Sequence, residues 1–226
     1  MKRKHYLLAL ALLLTVTFGL SSCKYKNSQP EPSTVSQDSI LSPGLLNSER
    51  IKMKFGSYGI KVLNNNAEIR VSDLYSTEGD KKTTRTFAVV HYPKAVDSVF
   101  LKEHTKILQG QSIGAVFKQQ QWKIKKKSIY VGKISPSNEF SEVYKLMGGI
   151  APSELAIYIY GFHIAKNNEE YQYAVISEVY HPDYLSLKDL KQIIKDADNY
   201  LEETPASSQI LEQVESKMKL NYNLQQ

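Results

Sequence analysis

Three features of this sequence predict an α+β fold, a mainly antiparallel sheet of about six to seven strands with helices packed on one face. Short runs of alternating apolar and polar residues recur from Ile60 onward, as strands with one covered face require. Turns bearing Asn, Gly and Pro separate those runs. Between and after them lie segments whose apolar residues repeat at helical spacing.

The first pair is "IKVL" and "AEIRVSDLY", flanking Asn64-Asn65-Asn66, a turn that tolerates positive φ and so predicts a hairpin. "TTRTFAVVHYP" is a third strand, entered from the loop "STEGDKK" and ended by Pro93, which has no N–H to give a ladder. A helix is predicted from about Val96, with Val96, Val99, Phe100, Ile107 and Leu108 at helical spacing and Gly110 closing it. "SIGAVFK" and "WKIKKKSIYVGKI" read as a further strand pair. From Ser137 a short helix carries Phe140, Val143, Tyr144 and Met147 and stops at Gly148-Gly149.

The clearest hairpin is "LAIYIYGFHIA" and "YQYAVISEVY" joined through "KNNEE". Both alternating sets of its first strand are largely apolar, which places that strand inside the sheet with both faces covered. Ser186 with Asp189 resembles a capping box, followed by an apolar face of Leu187, Leu190, Ile193, Ile194 and Ala197. Thr204 as N-cap and Pro205 at the first helical position start a last helix, along which Ile210, Leu211, Val214 and Met218 line up. A gapless overlay of Phe87–Leu108 on Tyr173–Ile194 pairs Ala88 with Ala174, Val89 with Val175, Asp97 with Asp183 and Leu101 with Leu187. Both stretches run strand, Pro-containing turn, helix, so a ββα pseudo-repeat is a candidate organising unit, although shared secondary structure alone yields such matches.

The start of the chain has a different character. Lys2, Arg3 and Lys4 precede an apolar run, Tyr6 to Leu20, of roughly 15 residues, which suits a secretory signal and is too short for a spanning helix. Leu20-Ser21-Ser22-Cys23 follows and holds the chain's sole cysteine. This tetrapeptide resembles the lipobox of bacterial lipoproteins. The resemblance covers that segment alone and implies diacylglycerol on the Cys23 thiol, cleavage just before it and acylation of the new amino terminus. Each buried CH₂ contributes about 0.8 kcal/mol, and one chain holds only marginally, so several chains make an anchor. Lys24 after the cysteine, where many enteric-type lipoproteins retained at the inner membrane carry Asp, implies the outer membrane, facing the periplasm.

The domain organisation expected is thus a signal at 1–22, a flexible tether at 23–48 and one α+β domain at 49–226. "KYKNSQPEPSTVSQDSILSPGLLN" is rich in Ser, Pro, Gln and Asn without a sustained apolar period, although Ile40, Leu41, Leu45 and Leu46 have the means to pin its far end to the domain. With Cys23 lipidated the mature chain keeps no thiol, which excludes disulfides, Cys-ligated zinc and cysteine nucleophiles. Loss of the signal also lowers the formal net charge from +6 to about +3, so the basic balance does not argue for nucleic acid.

Candidate chemistry is sparse. "GQSIG" at 110–114 has the G-x-S-x-G form of a hydrolase elbow, but a helix precedes Ser112 where that elbow needs a strand. None of His91, His104, His163 and His181 forms an H-x-x-x-H pair, so neither a metal set nor a cofactor is expected. His91 and His181 each sit at a strand end beside Tyr and Pro. If both ends meet at one edge, His91, Tyr92, Tyr180, His181 and Asp183 form a polar pocket; otherwise they cap turns. Lys123, Lys125 and Lys127 alternate along one strand as a basic ridge, suited to an anionic partner or to guarding a sheet edge. The function expected is therefore a membrane-anchored envelope lipoprotein with a non-catalytic domain for a protein, glycan or small-molecule ligand. The alternative is an envelope enzyme, hydrolase-like, using His91 or His181 at the strand ends.

Overall fold

A computed structural model of the chain describes residues 37–135, 141–150 and 153–220. The signal, Cys23, most of the expected tether and the Ser137 and Phe140 positions of the expected short helix lie outside the described residues. Six strands, β1 (Gly59–Asn65), β2 (Ile69–Glu78), β3 (Lys81–His91), β4 (Lys123–Ile134), β5 (Leu155–Lys166) and β6 (Glu169–Tyr180), form one sheet in the order β1-β2-β3-β6-β5-β4. Every neighbouring pair is antiparallel.

The hairpins follow from their turns. Asn167 and Asn168 both take positive φ, 54° and 68°, which is the two-residue turn whose twist matches the flanking strands. β2 and β3 extend further than the sequence implies. Glu78 pairs with Lys81 across Gly79-Asp80, so most of the expected loop "STEGDKK" is strand.

Helices are α1 (Gln37–Ile40), α2 (Asn47–Phe55), α3 (Leu101–Leu108), α4 (Ile113–Gln119), α5 (Ser141–Leu146), α6 (Leu187–Ile193) and α7 (Pro205–Leu220). The antiparallel α+β class is as the alternation predicts, but the helices expected on one face are divided between two. Ile51, Phe100, Ile107, Val116, Phe117 and Leu190 from α2, α3, α4, α6 and the turn before α3 join one core with Ala88, Val90, Tyr160 and Ile176. Val143 from α5 and Leu211, Val214 and Met218 from α7 join a second with Val71, Phe87, Val89, Ile157 and Val179. The cause lies in the inner strands, where β5 is buried from Leu155 to Phe162 on both alternating sets, so each face needs a cover.

Two further expectations are corrected. "SIGAVFK" is not a strand but α4, because Ile113, Val116 and Phe117 make one helical face against the core, and Gly114 lets the helix close on Leu46, the residue before α2. A Cβ at Gly114 would stand 2.8 Å from Leu46 Cδ2. The folded unit also begins before residue 49, with α1 from Gln37 and α2 from Asn47. Ile40 and Asn47 are buried, and Arg50 holds the preceding segment by donating Nε to the Ile40 carbonyl at 2.7 Å and Nη2 to that of Ser42 at 3.1 Å.

The two halves of the chain share an element order apart from one insertion. α2-β1-β2-β3-α3 is followed by α4-β4-α5-β5-β6-α6, with α5 inserted between the first two strands of the second half, and the two third strands, β3 and β6, pair antiparallel at the sheet centre. Each half thus contributes three consecutive strands and leaves its first strand at an outer edge.

Candidate functional site

Antiparallel pairing of β3 with β6 separates the two turn histidines. His91 ends β3 opposite Val175, whereas Tyr180 ends β6 opposite Thr86, so the two strand ends lie roughly 17 Å apart at about 3.3 Å per residue. The expected pocket of His91, Tyr92, Tyr180, His181 and Asp183 is therefore not assembled. His181 is buried and caps its turn: its Nδ1 accepts the Asp183 N–H at 3.0 Å, which leaves Nε2–H to donate to the Met147 carbonyl at 2.6 Å. Desolvation lowers its pKa, consistent with that neutral tautomer. The Asp183 carboxylate stays 3.9 Å from Nδ1 and is exposed. His91 borders a separate surface groove near Tyr92, Glu212 and Lys217, and Tyr92 stacks edge-on against His104 and Tyr173.

The basic ridge is present and compensated. Lys125 and Lys127 on the edge strand β4 each place Nζ 2.6 Å from Glu170 on β6, reaching over His163 of β5, whose Nδ1 is 3.3 Å from the same carboxylate. Their hydrogen bonds hold the Glu170 carboxyl down to about 2. Lys123 is exposed at the start of the strand. The ridge thus lies along a sheet edge, where lysines oppose further strand pairing. Ser112 precedes α4 and follows α3, so no strand delivers it and the hydrolase elbow is missing.

The constellation that sequence reading did not single out lies on the opposite side of β4. Lys126 alternates inward, three-quarters of its side chain covered, and its Nζ lies 3.7 Å from Glu178 Oε2 and 4.3 Å from the Tyr160 ring centroid. Glu178 is buried in the central strand β6. Its Oε1 accepts from Asn47 Nδ2 at 2.9 Å and its Oε2 from the Tyr180 hydroxyl at 2.7 Å. Asn47, the first residue of α2, also donates to Thr86 Oγ1 at 3.1 Å and accepts from the Tyr184 hydroxyl at 2.5 Å. Desolvation lowers the Lys126 pKa, opposed by Glu178, and raises those of Tyr160 and Tyr180 well above the phenolic norm. One signal was available in the sequence: Glu178 is a lone acid inside the apolar "VISEVY", and a buried carboxylate needs a partner.

This polar centre stands between two openings on the same face. A small cavity of about 70 Å³ reaches Tyr58, Arg70, Ser112 and Glu178. Arg70, 1% exposed, donates Nη1 to the carbonyls of Ile107 at 2.8 Å and Gln111 at 2.9 Å, a cation set at the C-terminal end of α3. On the other side a groove of about 800 Å³ runs between β4, β5 and α6, with Lys126, Tyr158 and Tyr180 on its floor and Leu190, Ile193 and Ile194 in its wall. Among the described residues no group of three or more His, Cys, Asp or Glu side chains is placed to hold a metal ion.

No family model matches the chain, and no curated protein matches it. Among solved structures it is similar to the C-terminal domain of Yurk from Bacillus subtilis subsp. subtilis str. 168, at 19% identity and a TM-score of 0.31, over 52% of this chain and 75% of that one. A likeness of that extent carries no conclusion about fold or activity.

Proposed function

We propose that the chain is a cell-envelope lipoprotein, anchored through acylated Cys23 at the outer membrane facing the periplasm, whose α+β domain is a non-catalytic binding module. The observation that carries the binding reading is the groove of about 800 Å³. It falls within the size of small-molecule sites, and an apolar wall with a few convergent polar groups is the usual composition of such a site. The lipobox resemblance of Leu20-Ser21-Ser22-Cys23 supports the anchor. The enzyme alternative rests on His91 or His181, and the strand register keeps the two from sharing one site.

The test of the anchor is intact-mass spectrometry of the wild type and of Cys23→Ser. The wild type is expected as a chain beginning at Cys23 with acyl mass added. The variant, lacking the acceptor thiol, is expected at full precursor mass. A mature wild-type chain without acyl mass overturns the anchor.

A further inference from the structure

We infer that the groove between β4, β5 and α6 takes an amphipathic organic anion, a long-chain carboxylate whose acyl body lies on the apolar wall and whose head meets the Lys126 ammonium; this rests on the groove being the ligand site proposed above.

Charge argues for an anion. Arg50, Lys118, Lys126 and Lys195 border the groove against Asp196 as its one bordering acid, and Lys127, which also borders it, is paired with Glu170. The other inner cations are engaged: Arg50 donates to two carbonyls, and Lys118 is bonded to Glu49. Lys126 differs. It is paired with Glu178, but at 3.7 Å, longer than a hydrogen bond, while Asn47 and Tyr180 make the short bonds to that carboxylate, so the ammonium keeps donors for a second anion. A carboxylate entering the groove thus finds an ammonium with donors to offer in a part-buried setting, where charge-assisted bonds are strong.

Shape and lining argue for an acyl body. Leu185, Leu190, Ile193 and Ile194 form an aliphatic wall from α6 and its flanks, and the Tyr158 ring lies on the floor near Lys126. The α6 side of the groove is aliphatic, and the β4 side carries Lys126, Lys127 and Ser128. A ligand with one charged end and a long hydrocarbon matches both parts; a sugar leaves its hydroxyls against the aliphatic wall without partners.

The test uses the full chain in its membrane, photolysed at pH 8 with two probes, a diazirine-bearing dodecanoic acid and the matching dodecanol, the labelled peptides then being mapped. The acid is expected to label 123–134, 155–166 and 187–193 about tenfold more than the alcohol, and excess dodecanoate to compete it away. Lys126→Met should bring the acid down to the level of the alcohol, and Lys126→Arg should retain the preference. Leu190→Trp fills the groove without changing charge and should abolish labelling by both. Undiminished acid labelling in Lys126→Met overturns the proposal. Equal labelling by both probes, lost in Leu190→Trp, overturns the anionic ligand and leaves the groove as a binding site. Absence of groove labelling by either probe overturns both readings.

Discussion

Glu178 shows how one side chain joins fold and site. It sits 5% exposed on the central strand, and three side chains converge on it: Asn47 from α2, Tyr180 from its own strand and Lys126 from the edge strand. Removing one member of a buried ion pair leaves the other uncompensated, so Glu178→Ala should cost about 3 kcal/mol of unfolding free energy. The paired replacement Glu178→Gln with Lys126→Met removes both charges and should recover most of that loss. Urea titrations of the three proteins check this, and a double variant as unstable as the single one contradicts the pairing. The acid was conspicuous in sequence. Its partner was not, because Lys126 stands in a run of lysines at 125–127 and only the strand's alternation turns it inward.

At the scale of elements, legibility followed the strength of local signals. The Asn167-Asn168 turn, the Ser186–Asp189 capping box and the Thr204-Pro205 start all fall where local chemistry puts them, since each is decided within four residues. α4 was misread because a seven-residue apolar stretch satisfies both periods, and only packing against Leu46 decides between them. The start of the folded unit was hidden for a related reason: Ile40 and Asn47 lie in a polar, Pro-bearing composition, and the partners of Asn47, Thr86 and Glu178, stand far along the chain. Deleting residues up to 48 removes Asn47, which hydrogen-bonds buried groups on two strands, and leaves those groups unsatisfied. A chain starting at Glu49 should therefore be less stable than one starting at Val35 by about 2 to 4 kcal/mol, read from urea midpoints. Equal midpoints would show that the α2 start adds nothing to the fold.

For the whole molecule, the two-sided core sets how stability responds to pH. The four described histidines, His91, His104, His163 and His181, all have pKa values lowered chiefly by desolvation. A group lowered in the folded state binds more protons when unfolded, so this contribution is complete above about 6.5 and is lost as pH falls through the folded values. Asp73 acts in the opposite direction. Its carboxyl is 3% exposed and burial pushes it up to about 7, with Lys61 opposing. Its neutral form favours the fold below the unfolded value near 3.8, and that stability is lost as pH rises toward 7. The shift of about three pKa units corresponds to about 4 kcal/mol at the plateau above pH 7. Wild-type stability between pH 4 and 7 is thus a sum of opposed trends. Asp73→Asn, which carries no charge to bury, should remove the falling one. The variant is expected to equal or slightly trail the wild type near pH 4, to overtake it as pH rises, and to exceed it by up to about 4 kcal/mol at pH 8. Urea midpoints for both proteins from pH 4 to 8 make the comparison; two curves that stay parallel across the window would mean that Asp73 ionises in the fold as readily as it does in water.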